Sequence, residues 1–352
     1  GDNGQGTLWS LTSGGVHTRI HSFTAAEGGR PTSGVSINDS DQVFGTSTIL
    51  GAFNVGSIWT YNATDGLAVL HQFDNTTGAR PFGETVVNAD GKVLGVTTNG
   101  GDFNRGTIWS LDPGVSVDKL SSFSLSDGTG IKISGALDAA GNLYGTTQNG
   151  GAFGRGTVWK LSSDGTFSTL HEFTPADGRS PFGGVLSDAL GNVYGTTEVG
   201  GASTVGTIWS VDSSGVFQTL YEFTGSDGAI PQGPTNFDQH GNLIGTTHFG
   251  GDNDQGVLWR LTLPRIPGDR VSITTGDWDI GGTWAPAGQP SSGETAYIGG
   301  GDVVTVDGVG AIAAAVYIGH SEAINPGDGA LSIAAGGELI VETSLHVGGA
   351  AS

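Results

Sequence analysis

Six tryptophans, Trp9, Trp59, Trp109, Trp159, Trp209 and Trp259, stand fifty residues apart with no insertion or deletion between the first and the last. A strict period of this length means one supersecondary unit repeated in an array, because a unit of that size cannot bury its own apolar face alone. The period also supplies an internal alignment of five copies. Columns that agree across copies build the unit, and columns that differ are free to carry function.

Each copy reads as four short strands. In the fourth, Gly156–Leu161 alternates small or polar with apolar residues, Ser163-Asp164-Gly165 makes a turn, and Phe167–Phe173 returns as a second strand. A longer connection, Pro175–Pro181, leads to a third strand, Gly184–Asp188, and Val193–Thr197 is the fourth. The Trp strand recurs as GTLW, GSIW, GTIW, GTVW, GTIW and GVLW, and the second strand ends at Phe23, Phe73, Phe123, Phe173 and Phe223. Glycine inside the fourth strand (Gly45, Gly95, Gly145, Gly195, Gly245) implies a close backbone approach, as where blades crowd a central axis.

Four antiparallel strands per unit of this size specify an all-β chain built as a β-propeller, with the six tryptophans filling the space between blades. The Trp strand is repeated at Gly256–Leu261, so five whole units plus one surplus strand favour a five-bladed ring sealed by a terminal strand. Two alternatives stay open: six or more blades with residues preceding Gly1, and pairing of the surplus strand with another molecule.

The string GGAFGRGTVWKL…LHEFTPADGRSPFGGVL…GNVYGTT over residues 151–197 resembles the GloVer tandem repeats of secreted bacterial proteins, and the likeness runs from residue 1 to 262. The chain carries Trp in the GTVW segment, where that family is expected to have mostly Phe. The resemblance implies a propeller-like fold and an extracellular location, and it brings no catalytic residues to carry over.

Composition narrows the partners. The formal charge is −21, and beyond Arg270 there is no Lys or Arg at all. Such a surface repels phosphate backbones, so nucleic acid and anionic membranes are excluded as partners. No apolar run approaches a membrane span, which excludes membrane insertion. Cysteine and methionine are both absent, including Met at residue 1, so the chain is expected to be processed or to be a fragment. With 65 glycines and 13% charged residues, it reads as a secreted bacterial protein, extracellular or held at the cell surface.

The fifty-residue pattern stops at 262. Residues 263–270, with Pro264 and Pro267, read as a linker, and 271–352 as a second domain of short Ala/Val/Ile strands separated by glycine. That patterning is expected of a small β-solenoid. Tyr317-Ile318-Gly319 and His346-Val347-Gly348 look like equivalent corners. The segment resembles the glycine-rich passenger repeats of autotransporter-like proteins.

Catalytic signatures are missing: no HExxH, no GxSxG, no phosphate-cradling loop. His21, His71 and His171 share a column with Ser121 and Tyr221, which reads as structural polarity. The loop from the fourth strand to the next Trp strand varies instead. It presents Phe53, Phe103, Arg105, Phe153, Arg155, Glu198, His248 and Asp252, apolar faces and polar tips suited to carbohydrate or peptide, although unconstrained exposed loops would look the same. No cofactor is expected. Turns such as Asp39-Ser40-Asp41 and Asn88-Ala89-Asp90-Gly91 offer at most loose calcium binding and read better as Asx turns.

Three functions follow in order. First is a structural or adhesive surface protein that associates with itself or with other surface proteins. Second is a multivalent, lectin-like binder of polysaccharide. A polysaccharide lyase or glycosidase ranks last, because no acid–base pair is singled out.

Overall fold

The computed structural model describes residues 1–263, apart from 113, 132–135, 139, 189–190 and 239–240, and beyond them only strand segments between 270 and 347. It is all-β. Strands β1 (Thr7–Leu11) and β2 (His17–Ser22) form a two-stranded sheet. β3 (Ser36–Ile37), β4 (Val43–Ser47), β5 (Ser57–Asn62) and β6 (Gly66–Gln72) form a four-stranded antiparallel sheet in that order. β7 (Val86–Val87), β8 (Val93–Thr97), β9 (Thr107–Leu111) and β10 (Val117–Ser122) repeat it. β11 (Leu143–Thr147), β12 (Thr157–Leu161) and β13 (Phe167–Glu172) form three strands, with a single bridge from Leu137 to Leu143 where the inner strand would stand. β14 (Leu186–Ser187), β15 (Val193–Thr197), β16 (Thr207–Val211) and β17 (Phe217–Glu222) make four again. β18 (Asn236–Phe237), β19 (Leu243–Thr246) and β20 (Leu258–Leu261) close the series.

These propeller-like blades are offset from the repeat as read in sequence. Each sheet takes the third and fourth strands of one copy and the first and second of the next, so that Gly45 pairs with Trp59 and Gly95 with Trp109. The physical reason lies in the connections. The turns within a sheet fold back as antiparallel hairpins, while residues 23–35 and their counterparts must carry the chain from one sheet to the next. The surplus Trp strand is taken up as β20 within the chain's own last sheet.

Between sheets the core is aromatic. Phe23, at the end of β2, lies 5.1 Å from Trp59 of the following sheet, and Phe73–Trp109, Phe123–Trp159 and Phe173–Trp209 repeat the contact at 5.9, 5.5 and 5.6 Å. Those four Trp and four Phe side chains are almost wholly buried. A bulge in the second strand accompanies each contact: Trp59 faces Val69 while Ile58 faces His71, and the skipped Leu70 packs into the core with Phe73 and Trp109. Trp9 corrects the expectation of six core tryptophans. No sheet precedes it among the described residues, and its indole is 55% exposed, tilted against His17.

The glycine column also has a different cause from blade crowding. A β-carbon on Gly45 would stand 2.4 Å from the indole of Trp59, its partner on the next strand of the same sheet. The ring lies across the backbone of its neighbour, and only glycine leaves room for it.

Buried hydroxyls join one copy to the next. Thr107, on β9, donates to the carbonyl of Thr77 at 2.8 Å, and its hydroxyl meets that of Thr97 at 2.9 Å. Thr157 and Thr207 make the same pair of bonds, to Asp127 and Thr147 and to Asp177 and Thr197. The recurring Gly-Thr before each Trp is therefore a buried polar link that satisfies its own donors.

The chain divides into two compact units, one of Gly1–Ser187, Asn192–Pro234 and Thr246–Val257, the other of Asp188–Gly191, Thr235–Gly245 and Leu258–Ser352. Most of the 263–270 linker lies outside the described residues, and residue 270 opens a strand. Here β21 (Arg270–Ser272), β22 (Gly276–Asp277), β23 (Trp284–Ala285), β24 (Thr295–Ile298), β25 (Val303–Val306), β26 (Ala311–Ile318), β27 (Ala330–Ile333) and β28 (Leu339–Val347) fall in two sheets, alternating from β24 onward. The sheet β23-β21-β24-β26-β28 is parallel except at β23, and β22-β25-β27 is parallel throughout. The register places Tyr317 beside both Tyr297 and His346, and Ile318 beside Ile298 and Val347, so the strand residues of the two corners read from sequence share one ladder, while their glycines lie outside the described residues.

Candidate functional site

The variable loops are tied to the long connections by a repeated hydrogen-bond scheme. Gly78, at φ 145°, packs where any β-carbon would meet the side chain of Thr97 at 2.6 Å. Ala79 then bridges Asn99, and the bridge recurs at Gly29–Ile49, Thr129–Asn149, Arg179–Val199 and Ala229–Phe249. The next residue turns into the left-handed region: Arg30 at φ 53°, Arg80 at 54°, Gly130 at 77°, Ser180 at 53° and Ile230 at 56°. That turn lets the Arg80 carbonyl accept from the amide and hydroxyl of Thr98, while its N–H reaches back to Val55 in the preceding loop. The connections at Arg30, Arg80, Ser180 and Ile230 are thus each bonded to their own loop and to the loop before it.

The loop tips are equally well fixed. Asn104, at φ 54°, donates its N–H to Gly101 and accepts the Gly100 N–H on its side chain, and Gly106 N–H returns to Gly100. The phenyl rings at the tips stand in solvent: Phe53, Phe103 and Phe153 are 60, 58 and 55% exposed. Three consecutive sheets therefore hold an apolar ring outward at one position on a hydrogen-bonded loop.

Beside these tips lies a cavity of about 640 Å³, within the size range of small-ligand sites. Arg30, Arg80 and Arg105 line it, with Phe82, Thr98 and Asn104 among its other walls. No carboxylate lines it. A second cavity of about 240 Å³ is lined by Gln148, Asn149, Phe153, Gly154, Arg155, Arg179 and Ser180. Six of its seven members, all but Phe153, stand fifty residues beyond Thr98, Asn99, Asn104, Arg105, Thr129 and Gly130 of the first, so it repeats that half of the first cavity. Among the described residues the five guanidinium groups make no ion pair, whereas Arg19 pairs with Asp2 and Arg260 with Asp238.

Of the residues anticipated from sequence, Arg105, Phe153 and Arg155 line these cavities and Phe53 and Phe103 stand at exposed tips. Glu198 accepts a 2.6 Å hydrogen bond from Gln232, and exposed His248 leans on Phe249. Asp252 is an exposed loop residue. Glu198, His248 and Asp252 line neither cavity. Arg30, Arg80 and Arg179 were missed. Their signal was present in the connection, which reads GGRP, GARP and GRSP in three copies.

The histidine column is built into the scaffold. His171 Nε2 lies 2.7 Å from Asp177, whose other oxygen accepts from the amide and hydroxyl of Thr174. His21 meets Glu27 and His71 meets Thr77 in the same way, and the Tyr221 hydroxyl donates to Asp227. Burial pushes the pKa of His171 down, against the pull of Asp177, and that of His71 down as well. Amide and hydroxyl donors from Thr77 and Thr76 hold Asp74 at about 2. The turns at Asn38 and Asn88 are Asx turns, each side-chain oxygen accepting from two amides further on. Among the described residues no cluster of three His, Asp or Glu side chains could hold a metal.

The Gloeobacter/Verrucomicrobia repeat model matches residues 1–135 and again 87–275, together well over half of the chain. No curated protein matches the sequence. Among solved structures, a gluconolactonase from Xanthomonas campestris is 15% identical with a TM-score of 0.44, covering 75% of this chain and 81% of its own. The extracellular domain of a hybrid two-component system from B. thetaiotaomicron is 14% identical with a TM-score of 0.44, covering 70% of this chain and 28% of that one. At scores this low the likeness carries neither a site nor an activity to this chain. The autotransporter resemblance of 271–352 has no counterpart among these matches.

Proposed function

This chain belongs to the Gloeobacter/Verrucomicrobia repeat family, and we propose that it is an extracellular adhesive protein whose contact surface is the loop face of its blades. The observation that carries this reading is the row of Phe53, Phe103 and Phe153, each exposed by more than half on a loop whose turns are closed by backbone hydrogen bonds. Rings held outward on a rigid scaffold lose little entropy on contact, so several weak contacts add through avidity. The parallel C-terminal strands, alternating between two sheets from β24 onward, support reading that segment as solenoid coils that serve as a stalk.

The test is adhesion of the full chain to polysaccharide-coated surfaces, compared with a Phe53→Ala/Phe103→Ala/Phe153→Ala variant. Loss of adhesion with an unchanged melting temperature is expected. Undiminished adhesion by the triple variant would sink the reading.

A further inference from the structure

We infer that the cavity lined by Arg30, Arg80 and Arg105, together with its partial repeat at Arg155 and Arg179, binds the anionic groups of an acidic polysaccharide, carboxylate or sulfate, with successive repeats taking successive groups along the strand. This rests on the adhesive reading of the same loop face and names what that face holds.

Three observations carry it. The chain has only 13 basic residues against 34 acidic ones, yet five arginines converge on two neighbouring cavities. None of the five has an ion-pair partner among the described residues, and no carboxylate lines either cavity. Distant carboxylates are screened beyond about 8 Å at physiological salt, so the local arginines set the sign inside. A guanidinium presents a planar fork that matches a carboxylate or sulfate with two parallel hydrogen bonds.

The second observation is repetition. The cavity at Arg155 repeats the Arg105 side of the first cavity fifty residues on, keeping Asn149 and Arg155 for Asn99 and Arg105, with Gln148, Gly154, Arg179 and Ser180 in place of Thr98, Asn104, Thr129 and Gly130. A ligand that matches it must itself repeat, which a polysaccharide with one acidic group per sugar or disaccharide does. The third is composition of the wall. Phe82 borders the first cavity and Phe153 the second, giving each an apolar face beside its arginines, on which a sugar ring can stack.

The experiment is calorimetric titration of the full chain with an oligogalacturonate, a sulfated oligosaccharide, a neutral cello-oligosaccharide and a single-stranded oligonucleotide. Binding of one or both acidic saccharides but not of the neutral one is expected, and the preferred arm identifies carboxylate or sulfate as the group held. Arg30→Gln/Arg80→Gln should weaken that binding about tenfold or more, as loss of charge-assisted hydrogen bonds implies, and Arg155→Gln should weaken long oligosaccharides more than short ones. Equal affinity for neutral and acidic saccharides, equal affinity for the oligonucleotide, or unchanged affinity in a folded Arg30→Gln/Arg80→Gln/Arg105→Gln variant would each overturn it. The two readings fail separately. Adhesion lost with the phenylalanines but indifferent to ligand charge removes this inference alone, whereas acidic binding lost with the arginines and adhesion untouched by the Phe variants removes only the adhesive reading.

Discussion

The indole of Trp109 lies over the backbone of Gly95, its cross-strand partner, so closely that a β-carbon there would stand 2.3 Å from the ring. The same indole meets Phe73 of the preceding sheet in an edge-on contact, and its N–H has no hydrogen-bond partner among the described residues. One side chain therefore fixes the packing between sheets and the residue type within its own sheet.

A coupling follows from that contact. Gly95→Ala should destabilise by about 1–3 kcal/mol, the usual cost of overpacking. Trp109→Phe removes the ring edge and the unpaired N–H together. The double variant should cost at least about 1 kcal/mol less than the sum of the singles, as expected for residues in contact. Urea unfolding of the four proteins measures it, and strict additivity would show that the ring moves aside.

The buried hydroxyl at Thr107 gives a second expectation. Thr107→Val keeps the shape but leaves the Thr77 carbonyl without its donor, at a cost of about 1–3 kcal/mol. Thr107→Ser should cost much less, since Ser57 already makes the equivalent bond to Glu27. Equal melting temperatures for the Val and Ser variants would remove the hydroxyl from the account.

Arg80 occupies a left-handed backbone position that Gly130 fills in the next copy. Arg80→Gly should therefore raise stability by about 0.5–1 kcal/mol, relieving the strain of a side chain at positive φ. The same variant should bind acidic oligosaccharide more weakly. A gain in melting temperature with a loss of affinity would show that the arginine is kept for its contacts outside the fold.

Acidification gives a fourth. Burial lowers the pKa of His71 and His171 below the ordinary histidine value, so the unfolded chain takes up protons first as pH falls. Their contribution to stability is complete above the unfolded value of about 6.5 and is lost as pH drops through the window below it. Asp74, held at about 2, keeps its contribution until pH falls below the ordinary aspartate range. The melting temperature should fall between pH 7.5 and 5. His71→Ser, which installs the residue found at Ser121, should flatten that fall. A slope unchanged in this variant would place the titration elsewhere.

The strands, their core columns and the structural role of the histidines were legible because each depends on residues close in sequence. Alternation marked Thr107–Leu111 as a strand, and the mixed column of His71, Ser121 and Tyr221 marked polar links. The loop candidates were recognised by their variation, which located Arg105 and Arg155. Arg30 and Arg80 escaped because they lie in the connection, whose fold depends on bonds to two loops at once.

The sequence by itself determined the repeat, the all-β character and the aromatic filling, since periodicity and side-chain alternation act within one copy. Only the tertiary structure decided which strands share a sheet, why the fourth strand needs glycine and why Trp9 is exposed while Trp109 is not. It also drew five arginines from four copies into two cavities. Those outcomes depend on pairing between residues of different copies, where hydrogen bonds and ring contacts are chosen by the geometry of the connections.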